Sequence, residues 1–187
     1  MNVAIIGGTG RMGAALTEAV AVFDDLHISA RLGRNGDLES SVRDCDVLVD
    51  FSVPEFSILG LKAAVLCRKP CVVGTTGFTP DQERQIAELA RAIPIVKSAN
   101  FSPGIALLVN LCTRATALLD RSYDIEIVES HHRHKRDAPS GTALLIAKAL
   151  SKVRGFEMAD AACFGRGPSS QPGNRARSAS TQFGLAT

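Results

Sequence analysis

Short, almost wholly apolar runs alternate with helix-like stretches along positions 1–100. The runs Val3–Ile6, Leu26–Ala30, Val47–Phe51, Cys71–Val73 and Pro94–Val96 have the composition of strands buried on both faces. The segments Arg11–Phe23, Pro54–Cys67 and Pro80–Arg91 lie between them. Ile86, Leu89, Ala90 and Ile93 recur at the spacing of a single buried helical stripe. Apolar strands separated by helices predict a parallel sheet covered on both sides, an α/β doubly wound domain over residues 1–100. The connection from Gly33 to Ser41 is short and holds Gly, Asn, Asp and Ser, so only a short helix fits there, over Leu38–Arg43.

The pattern changes at Asn100. Pro103–Leu119 reads as a long helix and Thr142–Leu150 as a second one. Tyr123–Ser130 sets Ile125 and Ile127 against Glu126 and Glu129, the alternation of a half-buried strand. From Gly155 onward the periodicity fails. GRGPSSQPGNRARSAS is rich in Gly, Pro and Ser and reads as a mobile loop or a disordered tail, and TQFGLAT could begin another strand. Residues 101–187 are thus expected to form a smaller α+β domain.

Composition narrows the function. Hydrophobic residues make up 45% of the chain and charged residues 21%, the balance of an ordinary globular protein. A net charge of +2 with no long basic run gives no electrostatic footprint for nucleic acid. No apolar run approaches the ~20 residues that cross a bilayer, and the N-terminal run meets glycine too soon for a secretion signal. Cys45, Cys67, Cys71, Cys112 and Cys163 are odd in number, scattered, and form no C-x-x-C pair. Reduced thiols in a cytoplasmic protein are expected.

Gly7, Gly8, Gly10 and Gly13 follow the first strand and open the first helix. Such a turn lets the backbone approach a pyrophosphate, whose charge the helix N-terminus then meets. A merely structural turn would use similar residues, but the strand–turn–helix context favours a dinucleotide and a Rossmann-like domain. The end of the second strand, ARLGRNGD, lacks the acid that would hold the ribose of NAD. Arg31 and Arg34 stand there instead, either as solvated loop residues or as partners for a 2′-phosphate. NADPH is favoured over NADH, with Asp37 leaving NADH open. Gly74-Thr75-Thr76-Gly77 and Ser98-Ala99-Asn100-Phe101 follow the fourth and fifth strands, on the edge where such sheets bind ligands. Asn100 has the groups to bond the carboxamide or the adjacent ribose.

The densest chemistry is ESHHRHKRDAPSGTA, Glu129 to Ala143, where three of the four histidines fall within four residues, with Lys135 and Arg136 directly after them. A solvated cluster is one reading. A zinc held by His131 and His134 is another, opposed by the surrounding cations and the lack of a nearby thiolate pair, so no metal is expected. Ser140 is a natural N-cap for the helix that follows, and Gly141 allows close approach. A helix N-terminus facing a lysine grips carboxylates, and a histidine beside it delivers a proton near neutral pH. Next to a nicotinamide, that combination reduces an anionic, polarised double bond.

The ordered motifs VAIIGGTGRMG, DVLVDFSVPE, VVGTTGF, SANFSPG and IEIVESHHRHKRDAPSGTA resemble those of the 4-hydroxy-tetrahydrodipicolinate reductase (dihydrodipicolinate reductase) family, up to about Leu150. The resemblance implies NAD(P)H-dependent reduction of a cyclic dicarboxylate in diaminopimelate and lysine synthesis. It implies that His131 is the general acid and Lys135 its cationic partner, and that His132, Ser140, Gly141 and Thr142 bind the substrate's carboxylates. Gly7, Gly8, Thr9, Gly10, Arg11, Met12, Arg34, Gly74, Thr75, Thr76, Ser98, Ala99, Asn100 and Phe101 are the implied dinucleotide contacts, and a homotetramer is the implied assembly. Two departures stand out. Gly33 takes the place of an acid that many members carry, before an unusually short linker. Members also continue past the region matching FGLAT, with further strands and a closing helix, so the chain reads as C-terminally truncated with an incomplete second sheet. The alternative function is therefore a weak or inactive nucleotide-binding remnant. A semialdehyde dehydrogenase of the same plan would need a cysteine nucleophile, and the cysteines lie inside apolar strands and helices.

Overall fold

The computed structural model describes residues 1–33, 37–131, 139–157, 162–164 and 179–185, the last two by their backbone alone. The chain divides into two compact units, Met1–Ala99 and Asn100–Thr187.

The first unit is a five-stranded parallel sheet in the order β2-β1-β3-β4-β5. Its strands are β1 (Asn2–Ile6), β2 (His27–Leu32), β3 (Val47–Asp50), β4 (Cys71–Val73) and β5 (Ile95–Lys97). Between them run α1 (Arg11–Val20), α2 (Leu38–Arg43), α3 (Pro54–Cys67) and α4 (Pro80–Leu89). β1 lies inside the sheet, between β2 and β3, and Ala4, Ile5 and Ile6 are fully buried there, as unbroken apolar runs in a covered parallel sheet should be. α3 packs Ile58, Leu61 and Ala64 into the same core as Ala4, Ile6, Leu48 and Val73.

Local chemistry explains the helix starts. Pro54 and Pro80 occupy the first turns of α3 and α4, where a missing N–H costs nothing. Thr79 and Gln82 close a reciprocal capping box on α4. The short α2 is capped by the Asp37 carboxylate, which accepts from the Ser40 amide.

Some boundaries differ from those the sequence predicts. β2 begins at His27 and runs on to Leu32, because Arg31 and Leu32 still have partners in Ile5 and Ile6. α1 ends at Val20 rather than Phe23, where two turns take over. β5 starts after Pro94, which has no N–H, although its carbonyl accepts from Cys71.

The second unit holds α5 (Pro103–Leu118), β6 (Ile125–His131), α6 (Gly141–Arg154), β7 (Ala162–Phe164) and β8 (Ala179–Leu185). The strands form an antiparallel sheet in the order β6-β8-β7. β8 answers to the strand anticipated at TQFGLAT but begins two residues earlier, whereas β7 has no counterpart in the sequence reading. Most of the stretch expected to be mobile lies outside the described residues. Ala147 and Leu150 of α6 bury against Cys112, Ile125, Ile127 and Ile146. α6 runs one turn past Leu150 and stops at Gly155, whose φ of 75° is the left-handed conformation that ends helices at little cost in glycine. Arg154, in its last turn, donates to the Asp120 and Tyr123 carbonyls at 2.7 and 3.2 Å, fastening the chain after α5.

Candidate active site

The carboxyl ends of β1, β2, β3 and β4 converge on the glycine turn. Gly7 has φ of 78°, and a Cβ there would stand 2.4 Å from the Phe51 carbonyl oxygen. A Cβ on Gly13 would fall 2.4 Å from Gly8 Cα and 2.5 Å from the Gly7 oxygen. The turn is thus folded back on its own helix at a distance only glycine permits. The Gly7 and Gly8 amides both donate to the Leu32 carbonyl, and the Gly10 amide donates to Gly7. Gly10 is the N-cap of α1 and supplies no side-chain cap. The first amides of α1, at Arg11 and Met12, therefore face outward as donors for an anion. Beside them a cleft of about 230 Å³ is lined by Gly7, Thr9, Gly10, Gly33, Phe51, Ser52, Val53 and Phe56. The fit to a dinucleotide pyrophosphate is good: among the described residues no side chain blocks it, and the donors are in place.

Arg31 does something other than wait for a phosphate. Its Nε and Nη2 donate to the Gly8 carbonyl at 3.2 and 2.7 Å, clamping the turn from β2. Arg34 lies outside the described residues. Gly74 packs against the Phe51 ring, and Thr76 is exposed beside it. Thr75 is buried, and its hydroxyl donates to Asp50 at 3.1 Å while accepting from the Ser52 amide at 2.9 Å.

Asp50, which sequence reasoning missed, is only 2% exposed. Its carboxylate accepts from the Ser52 amide and hydroxyl at 3.0 and 2.6 Å, from Thr75, and from the Ser57 hydroxyl on α3. One carboxylate therefore fixes the Phe51–Val53 wall of the cleft, the loop after β4 and the first turn of α3. Ser98 and Ala99 follow β5 on the same edge of the sheet.

In the second unit, β6 delivers Glu129 and His131 to the start of α6. Their two-residue spacing on a strand turns both side chains to one face. His131 Nε2 lies 2.8 Å from Glu129 Oε2. Glu129 Oε1 accepts from the Ser140 amide at 2.7 Å, and the Ser140 hydroxyl donates to Oε2. Burial pushes the Glu129 carboxyl up, but the bonds from Ser140 and His131 prevail and hold it below its usual value. Ser140 is buried, and its oxygen accepts from the Ala143 amide at 3.0 Å as the N-cap of α6. Both polar groups of Ser140 are thus engaged within the protein, which leaves the Gly141 and Thr142 amides as the donors of the helix start with no partner among the described residues. Asn100 belongs to this second unit. Its Nδ2 donates to the Thr142 hydroxyl oxygen at 2.9 Å, and its Oδ1 accepts from Ser102 at 2.8 Å. Phe101 is exposed just before α5.

The structure therefore brings His131, Ser140, Gly141, Thr142 and Asn100 together around the start of α6. His132, His134, Lys135 and Arg136 lie outside the described residues. Among the described residues no group of His, Cys, Asp and Glu has the arrangement of a metal site, and no helix is long and apolar enough to cross a membrane. Burial pushes the Cys45 thiol up and the Cys71 thiol to about 12, the reverse of what a cysteine nucleophile needs.

Known proteins resemble this chain in sequence and in fold. Residues 1–101 match the family described as dihydrodipicolinate reductase, N-terminus, and residues 104–184 the one described as dihydrodipicolinate reductase, C-terminus. The 4-hydroxy-tetrahydrodipicolinate reductase of Zymomonas mobilis is 41% identical over 179 residues, covering 92% of this chain and 70% of that protein. That of Thiobacillus denitrificans is 39% identical over 188 residues, covering 89% and 70%. Among solved structures, the dipicolinate-bound dihydrodipicolinate reductase of Paenisporosarcina sp. TG-14 superposes with a TM-score of 0.69 at 25% identity, over 94% of this chain and 70% of that one.

Proposed function

The chain belongs to the dihydrodipicolinate reductase family, and from that premise we propose that it reduces 4-hydroxy-tetrahydrodipicolinate to tetrahydrodipicolinate, in diaminopimelate and lysine synthesis. A reduced pyridine nucleotide supplies the hydride, and water leaves with the substrate's hydroxyl. The first unit is built for that cofactor: Gly7, Gly8, Thr9, Gly10, Arg11 and Met12 receive the pyrophosphate. Gly74, Thr75 and Thr76, with Ser98 and Ala99, border the nicotinamide half. Thr75 acts there through Asp50 and the shape of the wall rather than through its own hydroxyl.

His131 gives the proton to the ring position that becomes electron-rich as hydride arrives. Lys135 offsets the negative charge, and His132 with the Gly141 and Thr142 amides holds the substrate's carboxylates. Ser140 contributes by fixing the start of α6. The observation that carries this reading is the pairing of a histidine with an open helix N-terminus through a shared carboxylate, Glu129. Among the described residues nothing favours a nucleotide-binding remnant without catalysis.

We assign the cofactor as NADPH in preference to NADH. With Arg31 engaged on Gly8, recognition of a 2′-phosphate rests on Arg34. The free thiols Cys45, Cys67, Cys71 and Cys112 suit the cytoplasm, and four copies are the assembly to look for by light scattering. The direct test follows nicotinamide oxidation by the purified chain with freshly generated substrate. Turnover is expected with both nucleotides, and His131→Ala should lower kcat by about 10²–10⁴ through loss of the proton donor. A folded chain that binds nucleotide but never turns over sinks the proposal.

A further inference from the structure

We propose that Glu129 is a positioning residue for the reductase reaction: it fixes the tautomer and ring orientation of His131 and locks that ring to the start of α6, so that proton donor and carboxylate grip move as one body. The inference rests on the reductase reading for its kinetic consequence but not for its geometry.

Glu129 is set apart from the surface acids of the chain. Its side chain is 12% exposed, and its two oxygens are divided between two jobs. Oε1 takes the Ser140 amide at 2.7 Å. Oε2 takes the Ser140 hydroxyl and faces His131 Nε2 at 2.8 Å. An ionised carboxylate only accepts, so the histidine nitrogen opposite it must carry a hydrogen. The neutral ring is therefore held with its proton on Nε2, and Nδ1 becomes the nitrogen that exchanges a proton with substrate. The same carboxylate occupies the Ser140 amide, so the substrate's carboxylates are directed one residue along, to Gly141 and Thr142. A glutamate that served α6 only as a cap would need Ser140 alone. The second oxygen on His131 is what a positioning role requires.

The position of Glu129 makes a sharp substitution available. In Glu129→Gln the Ser140 amide must still find an acceptor, which places the new amide oxygen at the Oε1 site. The amide NH2 then lies where Oε2 was, facing His131. A donor there demands a lone pair on Nε2 and drives the ring to the Nδ1–H tautomer. Glu129→Gln keeps size, burial and the bond from the Ser140 amide and gives up only the one from the Ser140 hydroxyl, yet it reverses the histidine.

The experiment combines nitrogen-15 NMR of the histidine rings with steady-state kinetics on the full chain. The wild-type His131 signal, assigned by its loss in His131→Ala, should show the Nε2–H tautomer, and Glu129→Gln should convert it to Nδ1–H. In the same variant kcat should fall about 10- to 100-fold with the KM for nucleotide little changed, while the melting temperature drops only modestly through the lost Ser140 hydroxyl bond. An unchanged tautomer in Glu129→Gln overturns the proposal even if the rate falls, because the residue would then act only on stability or charge. Tautomer reversal with an unchanged kcat equally overturns the catalytic consequence. If the wild-type chain shows no turnover at all, the reductase reading fails, while the NMR result still decides the positioning geometry.

Discussion

Asp50→Ala should destabilise the first unit by about 4 kcal/mol, and the structure gives the reasoning donor by donor. The carboxylate, 2% exposed, accepts from the Ser52 amide, the Ser52 hydroxyl, the Ser57 hydroxyl and the Thr75 hydroxyl. Two of these have a fallback. The Ser52 amide already reaches the Thr75 oxygen at 2.9 Å, and the Ser52 hydroxyl reaches the Val53 carbonyl at 3.3 Å. Ser57 and Thr75 are buried, and the hydrogen bonds they donate through their hydroxyls are lost. Two orphaned buried donors at about 1–3 kcal/mol each give about 4 kcal/mol as the central value. Against a typical total of about 5–15 kcal/mol that is a large share. At roughly 2–4 °C per kcal/mol for a chain of this size, the transition of the first unit should fall by about 8–16 °C. Asp50→Asn can place its amide oxygen at the Oδ2 site, keeping an acceptor for Ser57 and Thr75 while Ser52 uses its other partners, and should cost about 1–2 kcal/mol. Urea unfolding of wild type and both variants, with nucleotide titrations on each, measures the difference. A loss below about 1 kcal/mol for Asp50→Ala would refute the reasoning, since the hydroxyls would then have partners that do not depend on this carboxylate.

Further outcomes follow from other contacts. Gly13→Ala drives a Cβ against backbone atoms of Gly7 and Gly8 that cannot rotate away. It should weaken nucleotide binding at least about tenfold in calorimetry, and binding within twofold of wild type would contradict the close-packed turn. Arg31→Ala removes the clamp on the Gly8 carbonyl and should weaken NADPH and NADH by the same factor, about 3- to 10-fold. A loss confined to NADPH would instead make Arg31 a ligand of the 2′-phosphate. Glu129 is held below its usual 4.5, so it binds its proton more readily in the unfolded chain. Its stabilisation is therefore complete above pH 4.5 and is lost as pH falls through the lower native value. Melting curves from pH 7 to 3 should show that acid limb, and Glu129→Gln should flatten the part that Asp37 and Asp120, also held low by neighbouring serines, do not supply.

How far the sequence carried depended on what kind of interaction was at stake. The parallel sheet was legible because strands such as Val3–Ile6 are apolar throughout, a pattern few other environments select. The glycine turn was legible because steric demand admits one residue type at Gly7 and Gly13. Element ends were less so: β2 gains Arg31 and Leu32 from pairing with β1, a tertiary effect that no local propensity contains. Arg31 looked free for a ligand because the sequence cannot show that the Gly8 carbonyl lies within its reach. Asp50 was hidden for a similar reason, since its partners Ser57 and Thr75 are distant along the chain. Glu129 had a readable signal: two residues before His131 on a strand is the same face, directed at the same helix start. β7 is three residues long and takes its identity from pairing with β8, so its own pattern said nothing.

The central claim is hydride transfer from a pyridine nucleotide with proton delivery by His131, and isotopic labelling of the product tests it most directly. The chain is given nucleotide deuterated at nicotinamide C4, or unlabelled nucleotide in heavy water, with freshly generated substrate, and the tetrahydrodipicolinate is read by mass spectrometry. The account predicts one deuterium carried from the nucleotide, one taken from solvent in the second arm, and about 10²-fold or more slowing of both by His131→Ala. Product without nucleotide-derived deuterium, or a His131→Ala variant as fast as wild type, would contradict it.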